Sequence, residues 1–158
     1  MKLLSEPLLH FALGGVILFS TYSWLNGAGP IGANLDRYQI VKDWLDAAGE
    51  VHKKVYDVAW SGDRKPDADG KVPAVGSMAD VPNATWKNTI GAPELVAVWT
   101  DPEFDPAQSA FYYGRVLEMP TPRWTAYDAK YYGIEVPPEA LMELQERAST
   151  SPIWYTPK

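Results

Sequence analysis

The chain has 158 residues, no cysteine, 14 Lys or Arg against 20 Asp or Glu, and a net charge of -6. That length suits one domain of modest size, and the acidic balance excludes nucleic acid as a partner, because a phosphate backbone needs a concentrated cationic surface. The missing cysteines exclude disulfides, a thiolate nucleophile, Cys-ligated zinc and iron-sulfur clusters, while 14 Pro, 12 Gly, seven Trp and nine Tyr favour strands and turns over a helical bundle.

Residues 7–35 carry no Asp, Glu, Lys or Arg, and residues 8–19 (LLHFALGGVILF) are almost wholly apolar, continuing through STYSWL to Leu25. A helix of roughly 20 residues crosses a bilayer core. Pro7 fits the first turn of such a helix, and Asn26-Gly27 followed by Gly29-Pro30 ends it. The sequence therefore predicts an N-terminal transmembrane helix within a membrane or signal segment over residues 1–33, meeting the lipid bilayer through residues 7–25, with the amino terminus inside. A cleaved signal peptide is the alternative. His10 has no acidic residue or second histidine near it in the span, so it reads as an interfacial side chain.

Residues 34–158 read as a strand-rich module. Residues 36–45 alternate with period two: Tyr38, Ile40, Lys42 and Trp44 on one face, Arg37, Gln39, Val41 and Asp43 on the other. A turn at Asp46-Ala47-Ala48-Gly49 leads to residues 51–60, and the two runs predict an antiparallel hairpin. Residues 61–82 form a long surface excursion. Within it Asp67-Ala68-Asp69-Gly70 resembles the opening of a calcium loop, but the closing acid of a twelve-residue loop falls at Met78, so an ordinary turn is preferred.

Residues 84–90, 95–100 and 110–119 are further strand candidates by their β-branched and aromatic content. Asp101, Glu103 and Asp105 lie in a rigid proline-bounded connection, either as solvent-facing charges or as oxygen ligands for a hard cation. Residues 119–124 are extended by their prolines, residues 138–147 (PEALMELQER) predict the one soluble helix, with Leu141, Leu144 and Gln145 as a short inward stripe, and residues 151–155 predict a closing strand. The expected fold is mainly β: an antiparallel β-sandwich-like module with long proline-rich loops and one short helix.

Chemistry-bearing residues are few. His52, between Val51 and Lys53-Lys54, reads as a solvated surface imidazole. Without a nucleophile elbow or a second extramembrane histidine, a serine hydrolase has no support. Glu118 and Asp128 bracket MPTPRWTAY and read as solvated turn charges rather than an acid and base pair. Phe111, Tyr112, Tyr113, Trp99, Trp124, Trp154 and Tyr155 read as core packing with some rings on the outer sheet face, a sugar- or ligand-binding surface being the alternative. The candidate binding residues are Arg123, Trp124, Tyr127 and Asp128, because a guanidinium on a rigid loop beside aromatics can clamp a carboxylate or fasten strands through backbone carbonyls.

The strings RYQIVKDWLD (37–46), KVYDVAWSGDR (54–64), VWTDPEFDPAQSAFYYGRVLEMPTPRWTAYDA (98–129) and QERASTSPIWYTP (145–157) resemble the carboxy-terminal part of a bacterial family, the domain of unknown function 3604, over residues 36–157. Full members are several times longer, with an upstream portion resembling a metal-dependent hydrolase of the polymerase-and-histidinol-phosphatase type. That portion is not in this sequence, and only His52 follows residue 35, so the resemblance implies the terminal module without catalytic, cofactor-binding or metal-binding residues. The leader is similar to the membrane anchor preceding parvulin-type peptidyl-prolyl isomerases of bacterial inner membranes. The resemblance thus implies a single-pass bacterial inner-membrane protein, or an exported one after signal cleavage, with its module in the periplasm. It implies a non-catalytic fragment, not an enzyme on its own and without a cofactor; the alternative is an accessory part of a metal-dependent hydrolase whose catalytic half is on another chain, a protein partner supplying the upstream domain.

Overall fold

The structure, a computed structural model, describes residues 32–157. The predicted anchor and signal segment lies outside the described residues, apart from its end. Among the described residues no helix is long and apolar enough to cross a membrane.

The expected hairpin is present as β1 (Leu35–Leu45) and β2 (Val51–Trp60), antiparallel with Ile40 opposite Tyr56 and Leu45 opposite Val51. Its turn forms because Asp46 Oδ1 accepts the N–H groups of Ala48 and Glu50, both at 2.9 Å, while Gly49 takes a φ of 82°, the left-handed region that glycine enters without steric cost. The register shifts between Tyr38 and Gln39, a bulge that increases the local twist. The next long strand, β5 (Ala110–Glu118), pairs antiparallel with the other edge of β1, Val41 opposite Tyr113. Two short strands, β8 (Arg147–Ser149) and β9 (Ile153–Tyr155), share the far edge of β5. The result is a five-stranded sheet in the order β2-β1-β5, with β8 and β9 outermost.

The remaining strands make two small ribbons: β3 (Ala79–Asp80) with β4 (Thr85–Trp86), and β6 (Thr121–Pro122) with β7 (Glu143–Leu144). Among the described residues the single helix, α1, is Trp124–Tyr132. Central position in the sheet buries β1 on both faces. Val41 is fully buried, and so, nearly, are Asp36, Arg37, Gln39, Lys42 and Asp43. Residues 61–82 cover the Arg37 face, where Arg37 donates to the carbonyls of Val72 and Pro73. Residues 95–105 cross the opposite face, where Lys42 Nζ donates to the Glu103 carbonyl at 2.8 Å.

The mainly β, antiparallel character with one short helix is as the sequence predicts, but loops cover the sheet where a sandwich would place its second sheet. The helix also lies elsewhere. Residues 138–147 are turns and the strands β7 and β8 instead, because their backbone groups serve neighbours: Arg123 N donates to Met142 O at 2.8 Å and Glu118 N to Glu146 O at 3.0 Å. Leu141 and Leu144, the expected inward stripe, are exposed. Tertiary pairing overrides a weak helix propensity there. Residues 95–100 form no strand, with Val96 and Val98 pointing to solvent, and residues 84–90 retain only β4, Ala84 having a φ of 47° that interrupts an extended run. At Asp67 an ordinary turn stands: its Oδ1 accepts Asp69 N at 2.9 Å and Lys71 N at 2.8 Å.

Candidate functional site

The residues singled out from the sequence, Arg123, Trp124, Tyr127 and Asp128, come together at the start of α1. Arg123 is the N-cap, extended at φ -80° and ψ 164°, and its side chain makes no capping bond. Its backbone is fixed by the bond to Met142 O and by accepting Ala126 N at 2.9 Å. The guanidinium sits 6.0 Å from the Trp124 ring centroid, within range for a cation–π contact. Positions 124, 127, 128 and 131 fall on one helical face, and Trp124, Tyr127 and Tyr131 are all exposed there, beside a shallow depression lined by Tyr127, Asp128, Lys130 and Tyr131. Only Ala126 is buried in the helix. Gly133, in the left-handed region at φ 62°, closes the helix by donating to Ala129 O. The arrangement presents a cation and an aromatic surface to solvent.

The three carboxylates of the 101–105 connection do not converge. Asp101 Oδ2 receives Lys42 Nζ at 2.6 Å and Tyr112 Oη at 2.8 Å. Glu103 receives Lys54 Nζ at 2.5 Å and Tyr56 Oη at 2.7 Å. Asp105 Oδ1 accepts Ala107 N at 2.8 Å. Lys42 also lies over Trp44, 5.1 Å from its centroid. Burial is the strongest single influence on Asp101 and raises its pKa, but Lys42, Glu103 N–H and Tyr112 together outweigh it, leaving the carboxyl below its ordinary value. Bonds from Lys54 and then Tyr56 hold Glu103 low as well. Burial and then the neighbouring carboxylates push the Tyr56 and Tyr112 phenols up.

A second polar network is buried on the other face of β1. The Asp36 carboxylate is bound by Arg37, by Arg64 at 2.6 Å and by Gln145 at 3.0 Å. Asp57 takes Arg37 at 3.2 Å, Gln39 at 2.6 Å and Val72 N at 2.8 Å, and Arg115 reaches Gln39 Oε1 at 2.6 Å. These bonds fasten residues 64–73 and 145 onto the sheet. His52 is an exposed surface imidazole, as expected, stacked on Trp44 and 2.8 Å from Asp46 Oδ2; that contact, followed by Glu50 N–H, lowers the Asp46 carboxyl. Among the described residues no group of three or more His, Cys, Asp or Glu side chains is placed to hold a metal ion.

One feature was not found by reading the sequence. At the end of the sheet where the β1–β2 turn lies, an open cleft of about 390 Å³ is lined by Asp43, Leu45, Val51, Phe111, Trp154 and other residues. Register explains the gathering: Lys53, Asp43, Phe111 and Trp154 stand opposite one another on successive strands and therefore share a sheet face. The alternation marks Asp43 as facing with Arg37 and Val41, but only long-range pairing brings Phe111 and Trp154 beside it.

A family model described as a protein of unknown function, DUF3604, matches residues 25–157. No curated protein matches the chain, so the likeness of the leader to a parvulin anchor finds no support, and no solved structure matches it. The family match spans most of the sequence, from the end of the apolar leader to the penultimate residue, and the chain belongs to the DUF3604 family.

Proposed function

We propose that this DUF3604 chain is a non-catalytic binding module, held at a bacterial inner membrane by residues 7–25 or exported, with its folded part in the periplasm. Ligand or partner contact falls to the exposed surface of Arg123, Trp124, Tyr127 and Asp128. The observation that carries this reading is the commitment of the ionisable groups. Asp101 and Glu103 are each bound by a lysine and a tyrosine, with carboxyl pKa values displaced downward and phenol values upward. Acid–base catalysis near neutrality needs displacement the other way, a carboxyl raised or a phenol lowered toward the working pH. The Arg123 and α1 surface, by contrast, offers a cation–π pair and exposed aromatic rings, groups that contribute strongly to recognition.

The test is a phosphomonoesterase and phosphodiesterase assay of the purified full chain with manganese or zinc. The expected result is no turnover above the metal-only background. Turnover that tracks the protein through purification and disappears in His52→Ala overturns the reading. Activity arising only after mixing with a separate hydrolase chain favours the accessory role instead.

A further inference from the structure

Four aspartates of the sheet and its loops have mostly buried side chains, and one of them stands apart. Asp36, Asp57 and Asp101 each accept hydrogen bonds from two or more side chains or backbone groups. Asp43 is 9 % exposed, and its Oδ2 is buried without a hydrogen-bond partner. Its ion-pair contact among the described residues is Lys53 Nζ, 4.0 Å from Oδ1 on an exposed side chain, too far for a hydrogen bond. A buried carboxylate left this poorly paired requires an explanation. Asp43 is also the one acidic residue lining the cleft, whose other walls include Leu45, Val51, Phe111 and Trp154.

We propose that the cleft is a binding site for an organic ammonium: a protonated primary amine on an apolar, preferably aromatic, body. The cleft has the usual division of labour in a small-molecule site, apolar walls with few polar groups fixing orientation. The ammonium supplies a charge-assisted hydrogen bond to the Asp43 carboxylate at Oδ1, whose contact with Lys53 is a loose 4.0 Å, and the faces of Phe111 and Trp154, with centroids 4.8 Å apart, attract both a cation and an aromatic body. An anion is repelled by Asp43. A polyol needs many hydrogen-bonding groups, whereas this lining is mostly apolar. The apolar rim is open to such a ligand, since Leu45, Val51 and Trp154 are all exposed. The site is separate from the α1 surface and extends the binding-module reading to a second place on the fold.

The experiment titrates phenethylammonium, and separately its neutral counterpart 2-phenylethanol, into the full chain held in zwitterionic lipid nanodiscs, with empty discs subtracted. Calorimetry and saturation-transfer NMR give the readouts. The ammonium is expected to bind about tenfold more tightly than the alcohol, a ratio set by the charge-assisted bond. In Asp43→Asn the two affinities converge to within about threefold, since the pairing charge is gone. Trp154→Ala, at an exposed position, weakens both ligands by about tenfold through loss of the aromatic wall. Lys53→Met removes the cation competing for Asp43 and tightens the ammonium by about threefold, a test that stands even if Asp43→Asn does not fold. Equal wild-type affinities, no binding of either probe, or weaker ammonium binding in Lys53→Met overturns the proposal. Phosphoesterase turnover would overturn the non-catalytic reading and leave this site untouched, whereas equal affinities would remove this site alone.

Discussion

Lys42 is nearly buried yet charged, and what makes that tolerable is the set of bonds to Asp101 and the Glu103 carbonyl together with the Trp44 ring. Removing one member of a buried pair strands the other. Lys42→Ala is expected to cost about 3 kcal/mol, read as a lower urea midpoint at pH 7, and Tyr112→Phe about 1 kcal/mol through one lost hydrogen bond to Asp101. The pH profile follows from the same contacts. Asp101 is held below its ordinary 3.8 in the folded chain, so its contribution is complete above that value and is lost as the pH falls beneath it. Tyr56 and Tyr112 are held above their ordinary 10.0, so their contribution is complete below pH 10 and is lost as the pH rises beyond it. The melting temperature should be level through neutrality and fall at both ends; Lys42→Ala shortens the acid fall and Tyr112→Phe the alkaline one. None of this pairing is legible locally. Lys42 and Asp101 are 59 residues apart, and the alternation of β1 reports which face Lys42 takes but not what covers that face.

Strand β5 carries its own constraint at Gly114. A methyl group there would lie 1.7 Å from Tyr38 Oη and 2.5 Å from its Cζ, so the ring of Tyr38 occupies the space that the glycine leaves, and the backbone of Gly114 is further held by Thr150 Oγ1 accepting its N–H at 2.9 Å. Gly114→Ala is expected to destabilise by about 2 kcal/mol as the Tyr38 ring is displaced. In urea unfolding, the double variant Tyr38→Ala/Gly114→Ala should cost less than the sum of the singles by about 1 kcal/mol, because the clash needs both side chains; strict additivity would assign the cost to the backbone instead. At this scale the long strands are legible from period two and β-branched content, which is why β1, β2 and β5 fall where the alternation puts them. The helix is not. Residues 124–132 (WTAYDAKYY) have no inward apolar stripe, since α1 buries only Ala126, and residues 138–147 have a stripe but lend their backbone to β6 and β5. The candidate residues Arg123, Trp124, Tyr127 and Asp128 do gather on one exposed surface, through helical spacing rather than the rigid loop geometry that singled out Arg123.

Across the described part of the molecule, charged side chains that bind loop carbonyls and carboxylates do much of what a second sheet does in a sandwich. Arg37 and Arg64 bind the 72–73 loop, and Lys42 and Lys54 bind residues 101–103, so the cover over each face is a loop whose sequence carries no alternation to be read. That construction leaves large apolar groups outside: Val96, Val98, Trp124, Tyr131 and Trp154 are each more than 60 % exposed. The proposed membrane attachment therefore has two separable candidate sources, the uncharged run of residues 7–25 and the aromatic exterior of the folded part. An Arg at the centre of a spanning segment costs about 3 kcal/mol of insertion free energy, and position 16 is the midpoint of residues 7–25. The full chain should float with zwitterionic vesicles at pH 7, and Val16→Arg should move most of it to the unbound fraction. Flotation that survives Val16→Arg but is lost in Trp124→Ala would transfer the attachment to α1, because a single interfacial indole matters only where the aromatic surface itself meets the lipid. The anchor and the aromatic surface then compete for one explanation, and the two substitutions, one in each, decide between them without altering the sheet.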